Sequence, residues 1–230
     1  MSAAAALKRW LAGGWLDPLH IAKRGLARGM RRAAPRLTGR LLDIGCGVKP
    51  YRAMLPGVTR YIGIERPGTL SQSGVVDTYA DALALPFADR SFDSVLCNEV
   101  LEHVTDPARL FGEAARVLRP GGTLVLSTPQ TWGLHEEPHD YWRFTRYGLD
   151  HLARGSGFTV EEITPTCGTF ATVGQRLASF LFYGTPVRRV PALNLLARPY
   201  LALLQLVAVA LDELAGRRGD PLDHVLVARR

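Results

Sequence analysis

The chain has 230 residues, 47% hydrophobic and 21% charged, and its 28 Lys and Arg outweigh 21 Asp and Glu for a formal net charge of +7. This length suits one domain with an elaboration rather than two, and it can bury a substantial core. The composition is ordinary for a folded globular chain. Cys46, Cys97 and Cys167 show neither metal-ligand spacing nor a paired framework, which argues against a zinc knuckle or a disulfide scaffold.

Residues 1–39 read as a helical, cationic cap. Residues 3–11 form a short apolar stretch with Trp10, and Gly13-Gly14 breaks it. Pro18 opens a second helix, with Asp17 as its expected N-cap. Lys23, Arg24, Arg28, Arg31 and Arg32 cluster there, and Arg188, Arg189 and Arg198 recur later. Such clusters attract anionic lipid, nucleic acid or a phosphorylated substrate, or simply form a solvated helix face. Residues 1–11 lack a long apolar core with a small-residue cleavage site, so no signal peptide is expected. The expected location is cytoplasmic, with room for peripheral contact at the inner membrane face.

Residues 40–165 alternate strand and helix, which implies a parallel sheet with crossover helices. The first strand ends in Leu41-Leu42-Asp43-Ile44-Gly45-Cys46-Gly47. Glycines at that point allow positive φ and let a ligand approach the backbone at the switch point of the sheet. Glu65 closes a second run, Tyr61-Ile62-Gly63-Ile64, and Asp81-Ala82 follows a third over residues 75–80. Phe92-Asp93-Ser94-Val95-Leu96-Cys97-Asn98 is the fourth strand. Asp106-Pro107 starts a helix whose Leu110, Ala114, Val117 and Leu118 share a face. Pro120-Gly121-Gly122 ends that helix and turns into a fifth strand, residues 123–127.

A loop rich in aromatics, histidines and acids follows, then a helix over 146–154 and a sixth strand over 158–163. The insertion 166–221 holds two apolar runs, 170–183 and 193–214. Arg198-Pro199 reads as a break in the second, and the uncharged part, 200–211, falls short of the roughly 20 residues a membrane span needs. An interfacial helix, a lid over a lipophilic substrate, a homodimer interface and an internal helix pair all suit it. Residues 222–230 carry a seventh strand.

The ordered series Asp43-x-Gly45-x-Gly47, Glu65, Asp81-Ala82, Asn98 and Arg119-Pro120-Gly121-Gly122 resembles the class I S-adenosylmethionine-dependent methyltransferases. Within them it is similar to the small-molecule, type 11-like branch. The resemblance covers residues 41–164 and a last strand. It implies an α/β fold: a Rossmann-like seven-stranded sheet with N-terminal helices, a helical insertion between strands six and seven, and the last strand antiparallel beside the sixth. A dinucleotide fingerprint, G-x-G-x-x-G, is absent, because Pro50 stands at its third glycine.

The same resemblance implies S-adenosyl-L-methionine as cofactor. Gly45, Cys46 and Gly47 would lie along its methionine part and Asp43 near its amino group. Glu65 would take the ribose hydroxyls, since a carboxylate offers two acceptor oxygens. Asp81 and Ala82 would meet the adenine, Asn98 the sulfonium end, and Tyr51 the border of the site.

The acceptor side rests on Gly133-Leu134-His135-Glu136-Glu137-Pro138-His139-Asp140-Tyr141-Trp142-Arg143-Phe144-Thr145, which should overhang the transferred methyl. It resembles a "PHDYxRxT" segment of methyltransferases from cell-surface glycan, lipid and secondary-metabolite pathways. His139 is the expected base, Asp140 its orienter, and His103 a further catalytic candidate. His135, Tyr141 and Arg143 are expected to bind substrate, with Arg143 holding an anionic group. Without cysteines or paired histidines at helical spacing, no metal is expected.

The reading is methyl transfer to a small or lipophilic metabolite, most readily at oxygen. Two alternatives stand beside it: an RNA or DNA methyltransferase using the basic helices, and a non-catalytic cofactor-binding protein that docks a membrane or partner. Nucleic acid is disfavoured, because no recognised nucleic-acid-binding module accompanies the basic cluster.

Overall fold

In the computed structural model, residues 14–68 and 75–230 are described. The apolar stretch at 3–11 with Trp10 lies outside them. Among the described residues, seven strands form one sheet in the order β3-β2-β1-β4-β5-β7-β6. These are β1 Gly39–Ile44, β2 Val58–Glu65, β3 Thr78–Tyr79, β4 Phe92–Asn98, β5 Leu118–Pro129, β6 Thr159–Pro165 and β7 Asp223–Arg229. β1 to β5 pair in parallel, and β7 runs antiparallel between β5 and β6. The seven-stranded α/β expectation therefore holds.

The strands read as continuous apolar runs because both faces of the sheet are covered. Leu42, Ile44, Val95, Cys97, Leu124, Leu126, Leu226 and Ala228 pack in one core with Leu110, Phe111, Ala114 and Leu149. Leu41, Leu96, Val125, Val225 and Val227 point to the other face, against Met30, Ala33 and Leu37. Neighbours along each strand thus serve opposite cores, as a period of two requires. The covering helices are α1 His20–Ala33, α2 Pro107–Val117 and α3 Arg146–Gly155.

Asp106 caps α2 by accepting from the Arg109 amide at 3.0 Å, as expected. α1 starts two residues later than the sequence suggested. Asp17 is not its N-cap; it holds the entry by accepting from the Leu19 amide at 2.9 Å and pairing with Lys23 at 2.6 Å. The turn expected at Pro120-Gly121-Gly122 is an irregular segment inside a longer β5, with Gly121 at φ 77°.

The insertion forms α4 Thr169–Tyr183 and α5 Pro191–Leu214. They cross closely: a Cβ on Gly174 would stand 2.2 Å from the Ala208 Cβ. Asp212 of α5 accepts from the Gly168 amide at the start of α4, at 2.8 Å. Buried Gln175 ties the pair to the N-terminal segment, donating to the Pro18 carbonyl at 2.6 Å and accepting from the Ala22 amide at 3.1 Å. The break expected at Arg198-Pro199 does not occur, and α5 runs through Pro199. Proline removes the bond to the carbonyl four residues back and crowds that carbonyl, here that of Leu195, and packing of Leu201 and Ala197 against α4 carries the helix through it. Among the described residues α5 is the one helix long and apolar enough to cross a membrane, and most of its surface is exposed.

Candidate active site

The carboxyl ends of β1, β2 and β4 and the loop after β5 surround a cavity of about 840 Å³, within the size range of small-molecule sites. Gly45, Gly47, Glu65, Asp81, Ala82, His103 and His139 border it, as the sequence led one to expect. Glu99, Val100, Arg66, Glu136 and Glu137 join them.

The β1 turn is built from bare backbone. Gly45 sits at φ 70°, and the amides of Gly45 and Cys46 both donate to the Ile64 carbonyl at 3.0 Å. A Cβ on Gly45 would stand 2.2 Å from the Val100 side chain, whereas one on Gly47 would meet nothing within 4 Å. The first glycine therefore lets two strand ends close together, and the second leaves the turn open. The Gly47 amide donates to Glu65 Oε1 at 2.6 Å, which fixes that carboxylate at the rim. Asp81 accepts from the Leu83 amide through Oδ1 at 2.8 Å.

Four expected ligand contacts are placed differently. The Cys46 side chain turns into the protein, where a Cβ on Gly63 would lie 2.6 Å from its sulfur, so only its backbone belongs to the turn. Burial pushes its thiol up to about 12. Asp43 is buried behind the turn and accepts from the Tyr61 hydroxyl. Burial, partly offset by that bond, pushes Asp43 up to about 7. Tyr51 is 3% exposed and packs with Leu41, Leu96 and Val125 in the core on the α1 side rather than on the cavity wall. Asn98 is also off the wall, its Oδ1 accepting from Ser127 Oγ at 2.8 Å.

The carboxylate that reaches the cavity from β4 is the next one, Glu99. Its backbone lies at φ 55°, and its side chain accepts from Ser127 Oγ at 2.6 Å. Burial pushes Glu99 up to about 7, against the pull of that bond and of Arg143. Burial likewise lifts Glu102 and Asp223 well above the carboxylate range. Sequence reasoning passed over Glu99 because strand-end position, its only local mark, also suited Asn98.

The loop after β5 is clipped to the β4 end by its backbone: the Tyr141 amide donates to the Glu102 carbonyl at 2.9 Å. His139 borders the cavity, and its Nδ1 lies 3.1 Å from the Tyr141 hydroxyl. Asp140 does not orient it. Asp140 takes both Arg143 terminal nitrogens at 2.7 and 2.8 Å and the His135 amide at 2.9 Å. Hydrogen bonding from Arg143 holds the Asp140 carboxyl well below the usual carboxylate range. Arg143 also donates to the carbonyls of Gly133 at 2.8 Å and Trp142 at 2.6 Å. It is a clamp inside the loop, not a free arm for an anion. His135 and Tyr141 are off the cavity wall as well, His135 behind His103 with ring centroids 4.7 Å apart. The His103 Nδ1 lies 2.8 Å from the His139 carbonyl.

This cavity lies at the carboxyl ends of a parallel sheet with an antiparallel β7, where open α/β sheets of the Rossmann-like class bind their ligands. Residues 42–126 match the family model described as a methyltransferase domain. An O-methyltransferase, cnsE, of Penicillium expansum is 31% identical over 183 residues, 65% of this chain and 65% of its own length. The 27-O-demethylrifamycin SV methyltransferase of Amycolatopsis mediterranei is 39% identical over 105 residues, 40% of this chain and 39% of its own. These matches therefore span less than two thirds of the relatives' lengths. A solved S-adenosylmethionine-dependent methyltransferase from Mesorhizobium loti shares the fold at TM-score 0.58 and 20% identity, over 91% of this chain and all of that one. Residues 42–126 thus carry a methyltransferase domain similar to those of the S-adenosylmethionine-dependent enzymes, and S-adenosylmethionine is the cofactor this implies.

The residues present fit that cofactor. The open backbone at Gly47, the carboxylate fixed beside it and the cavity volume suit a long molecule with a diol at its middle. The wall carries Glu65, Asp81, Glu99, Glu136 and Glu137 against Arg66 and two histidines, which favours a cationic ligand.

Proposed function

We propose that this chain transfers a methyl group to a hydroxyl of a small, partly apolar metabolite. The observation that carries this is one acidic cavity that Gly47, Glu65, Asp81 and Ala82 line together with His103 and His139. Bound S-adenosylmethionine would supply an activated methyl at a sulfonium. Gly45 and Gly47 would lie along the methionine part, Glu65 would accept from the ribose hydroxyls, and Asp81 with Ala82 would meet the adenine. Their task is alignment, because in-line transfer depends on holding the reacting atoms in register. His139 would take the acceptor's proton, with Tyr141 steadying its ring. The carboxylate-lined wall speaks against a nucleic-acid substrate, whose phosphates it would repel. Oxygen as the target is supported by the relatives named as O-methyltransferase and 27-O-demethylrifamycin SV methyltransferase.

The test is turnover of S-adenosylmethionine with hydroxylated polyketides and phenols, followed by mass spectrometry of the product. Methyl on oxygen, lost in His139→Ala, is expected. Cofactor binding without transfer to any hydroxyl, or transfer only to nitrogen or carbon, overturns the reading.

We infer further that the exposed apolar face of α4 and α5 meets a lipid-like surface. Leu195, Tyr200 and Leu214 are 73%, 75% and 85% exposed. α1, with exposed Arg24, Arg31 and Arg32, packs against the same pair through Ile21. An apolar face beside cations is the pattern of a peripheral helix on anionic lipid. Cosedimentation with anionic but not neutral vesicles, lost in Leu195→Glu, is expected. A concentration-dependent dimer with no vesicle binding would assign the face to a second copy instead.

A further inference from the structure

We propose that Glu102, His103 and His135 form a site for one divalent first-row transition-metal ion at the acceptor end of the cavity. Their ligand atoms lie within 4.8 Å of one another. Two imidazoles and a carboxylate are the donor set that zinc, manganese or ferrous ions take, with further positions left open.

The proposal rests on how each donor is prepared. Glu102 is fully buried; its Oε2 accepts from Thr128 Oγ1 at 3.1 Å, while Oε1 has no partner. A buried carboxylate oxygen left without a donor is costly, and this one lies 3.8 Å from His103 Nε2. His103 Nδ1 donates to the His139 carbonyl at 2.8 Å, which leaves Nε2 as the lone-pair nitrogen. His135 Nδ1 stands 3.2 Å from both the Gly133 carbonyl and Asp140 Oδ2, two acceptors that fix the proton there and free Nε2. A histidine whose other nitrogen is bound by a carbonyl or carboxylate is the usual form of a metal ligand. Both histidines have it, and each faces the other at 4.7 Å.

Two ligands at about 2.1 Å from a shared ion stand roughly 3.0 to 3.4 Å apart. The 3.8 Å separation of Glu102 Oε1 and His103 Nε2 closes to that range with a sub-ångström side-chain movement. Glu136 Oε2, 3.9 Å from His103 Nε2, is near enough to close on the ion as well. Because His103 and Glu136 border the cavity, the open positions face it and would take water or the acceptor's hydroxyl oxygen. That last clause rests on the oxygen-methylation reading; binding of the ion does not.

Occupancy of the site is directly measurable. Full-length protein freed of metal with a chelator is titrated with Zn²⁺, Mn²⁺ and Co²⁺, without cofactor or acceptor. One ion per chain is expected, with a visible Co²⁺ spectrum reporting nitrogen and oxygen ligands. His135→Ala and Glu102→Gln should each weaken binding at least ~100-fold, beyond the roughly 10–100-fold that outer partners of a metal site carry. Circular dichroism and retained S-adenosylmethionine binding in both variants show that the fold survives. No ion bound to the wild type, or an affinity unchanged in folded His135→Ala, overturns the proposal. Neither result bears on whether the cavity binds the cofactor, so the two readings fail separately.

Discussion

Replacing Glu65 tests the cofactor side most directly. Its Oε1 already accepts from the Gly47 amide at 2.6 Å, so the carboxylate is fixed before any ligand arrives. Hydrogen bonds to a charged acceptor contribute about 1.5–3 kcal/mol each. Glu65→Ala would remove the bonds we assign to the ribose hydroxyls and would also free the Gly47 turn. Since such losses overlap, about 2–4 kcal/mol is expected, or roughly 30- to 700-fold in Kd. Glu65→Gln keeps the shape and loses the charge, and about tenfold weakening is expected. Calorimetric titration with S-adenosylmethionine and its demethylated product reads both values, and thermal denaturation checks that the fold is intact. The demethylated product lacks the sulfonium charge, so it should bind more weakly to this acidic wall. His139→Ala is the control: cofactor affinity unchanged, turnover down roughly 10²–10⁴-fold. A Glu65→Ala affinity within about threefold of the wild type would refute the ribose assignment. Equal loss of cofactor binding in both variants would remove His139 from the acceptor side.

Gly45→Ala should destabilise the protein by roughly 2–4 kcal/mol, because φ is 70° and the new Cβ would stand 2.2 Å from Val100. Val100→Ala in the same chain should recover the steric part and leave the backbone part, read as two steps in Tm. His224→Gln addresses acid stability. Burial, helped by Arg146, brings His224 down from 6.5 to about 4. Between those values the unfolded chain binds more protons, so this group's stabilisation is lost as pH falls from 6.5 toward 4. Asp43 and Glu99, pushed up to about 7, act oppositely: the folded chain keeps their protons, and their contribution is lost as pH rises from about 4 to 7. The Tm difference between wild type and His224→Gln should therefore shrink between pH 7 and pH 4, and a constant difference would refute the burial argument. Arg143→Met should loosen the loop after β5, seen as faster amide exchange over residues 133–145, with cofactor affinity retained.

The part of the cavity wall that we assign to the cofactor was legible because its residues follow strand ends, and strand ends are set by local apolar runs. Gly45, Gly47, Glu65, Asp81 and Ala82 all reach one cavity from three separate segments. What local pattern could not give was side-chain direction within a turn. Cys46 lies between two cavity glycines yet points into the core, and Asp43 is drawn down by the Tyr61 hydroxyl. Asn98 and Glu99 are adjacent at a strand end, and a positive φ at Glu99 decides which of them meets the cavity. Helix continuity failed for a similar reason: Pro199 reads as a breaker from local pattern, but packing of α5 on α4 through Leu201 and Ala197 carries the helix past it.

The loop after β5 misled because density of chemistry was read as availability. His135, Asp140, Tyr141 and Arg143 look like a catalytic set in sequence, but three of the four are one another's partners. Asp140 is saturated by Arg143 and the His135 amide, and Arg143 by Asp140 and three loop carbonyls. A clamp of this kind costs the loop its free acid and its free cation, and it gives a rigid mount in return. His139 is held on that mount at the cavity wall, and its carbonyl holds His103 Nδ1 from the β4 side. Among the described residues the buried carboxylate with an unclaimed oxygen is Glu102, thirty-three residues before His135 and beyond the reach of any spacing rule. The acceptor chemistry that we propose therefore belongs where β4 and this loop meet, and neither segment shows it alone.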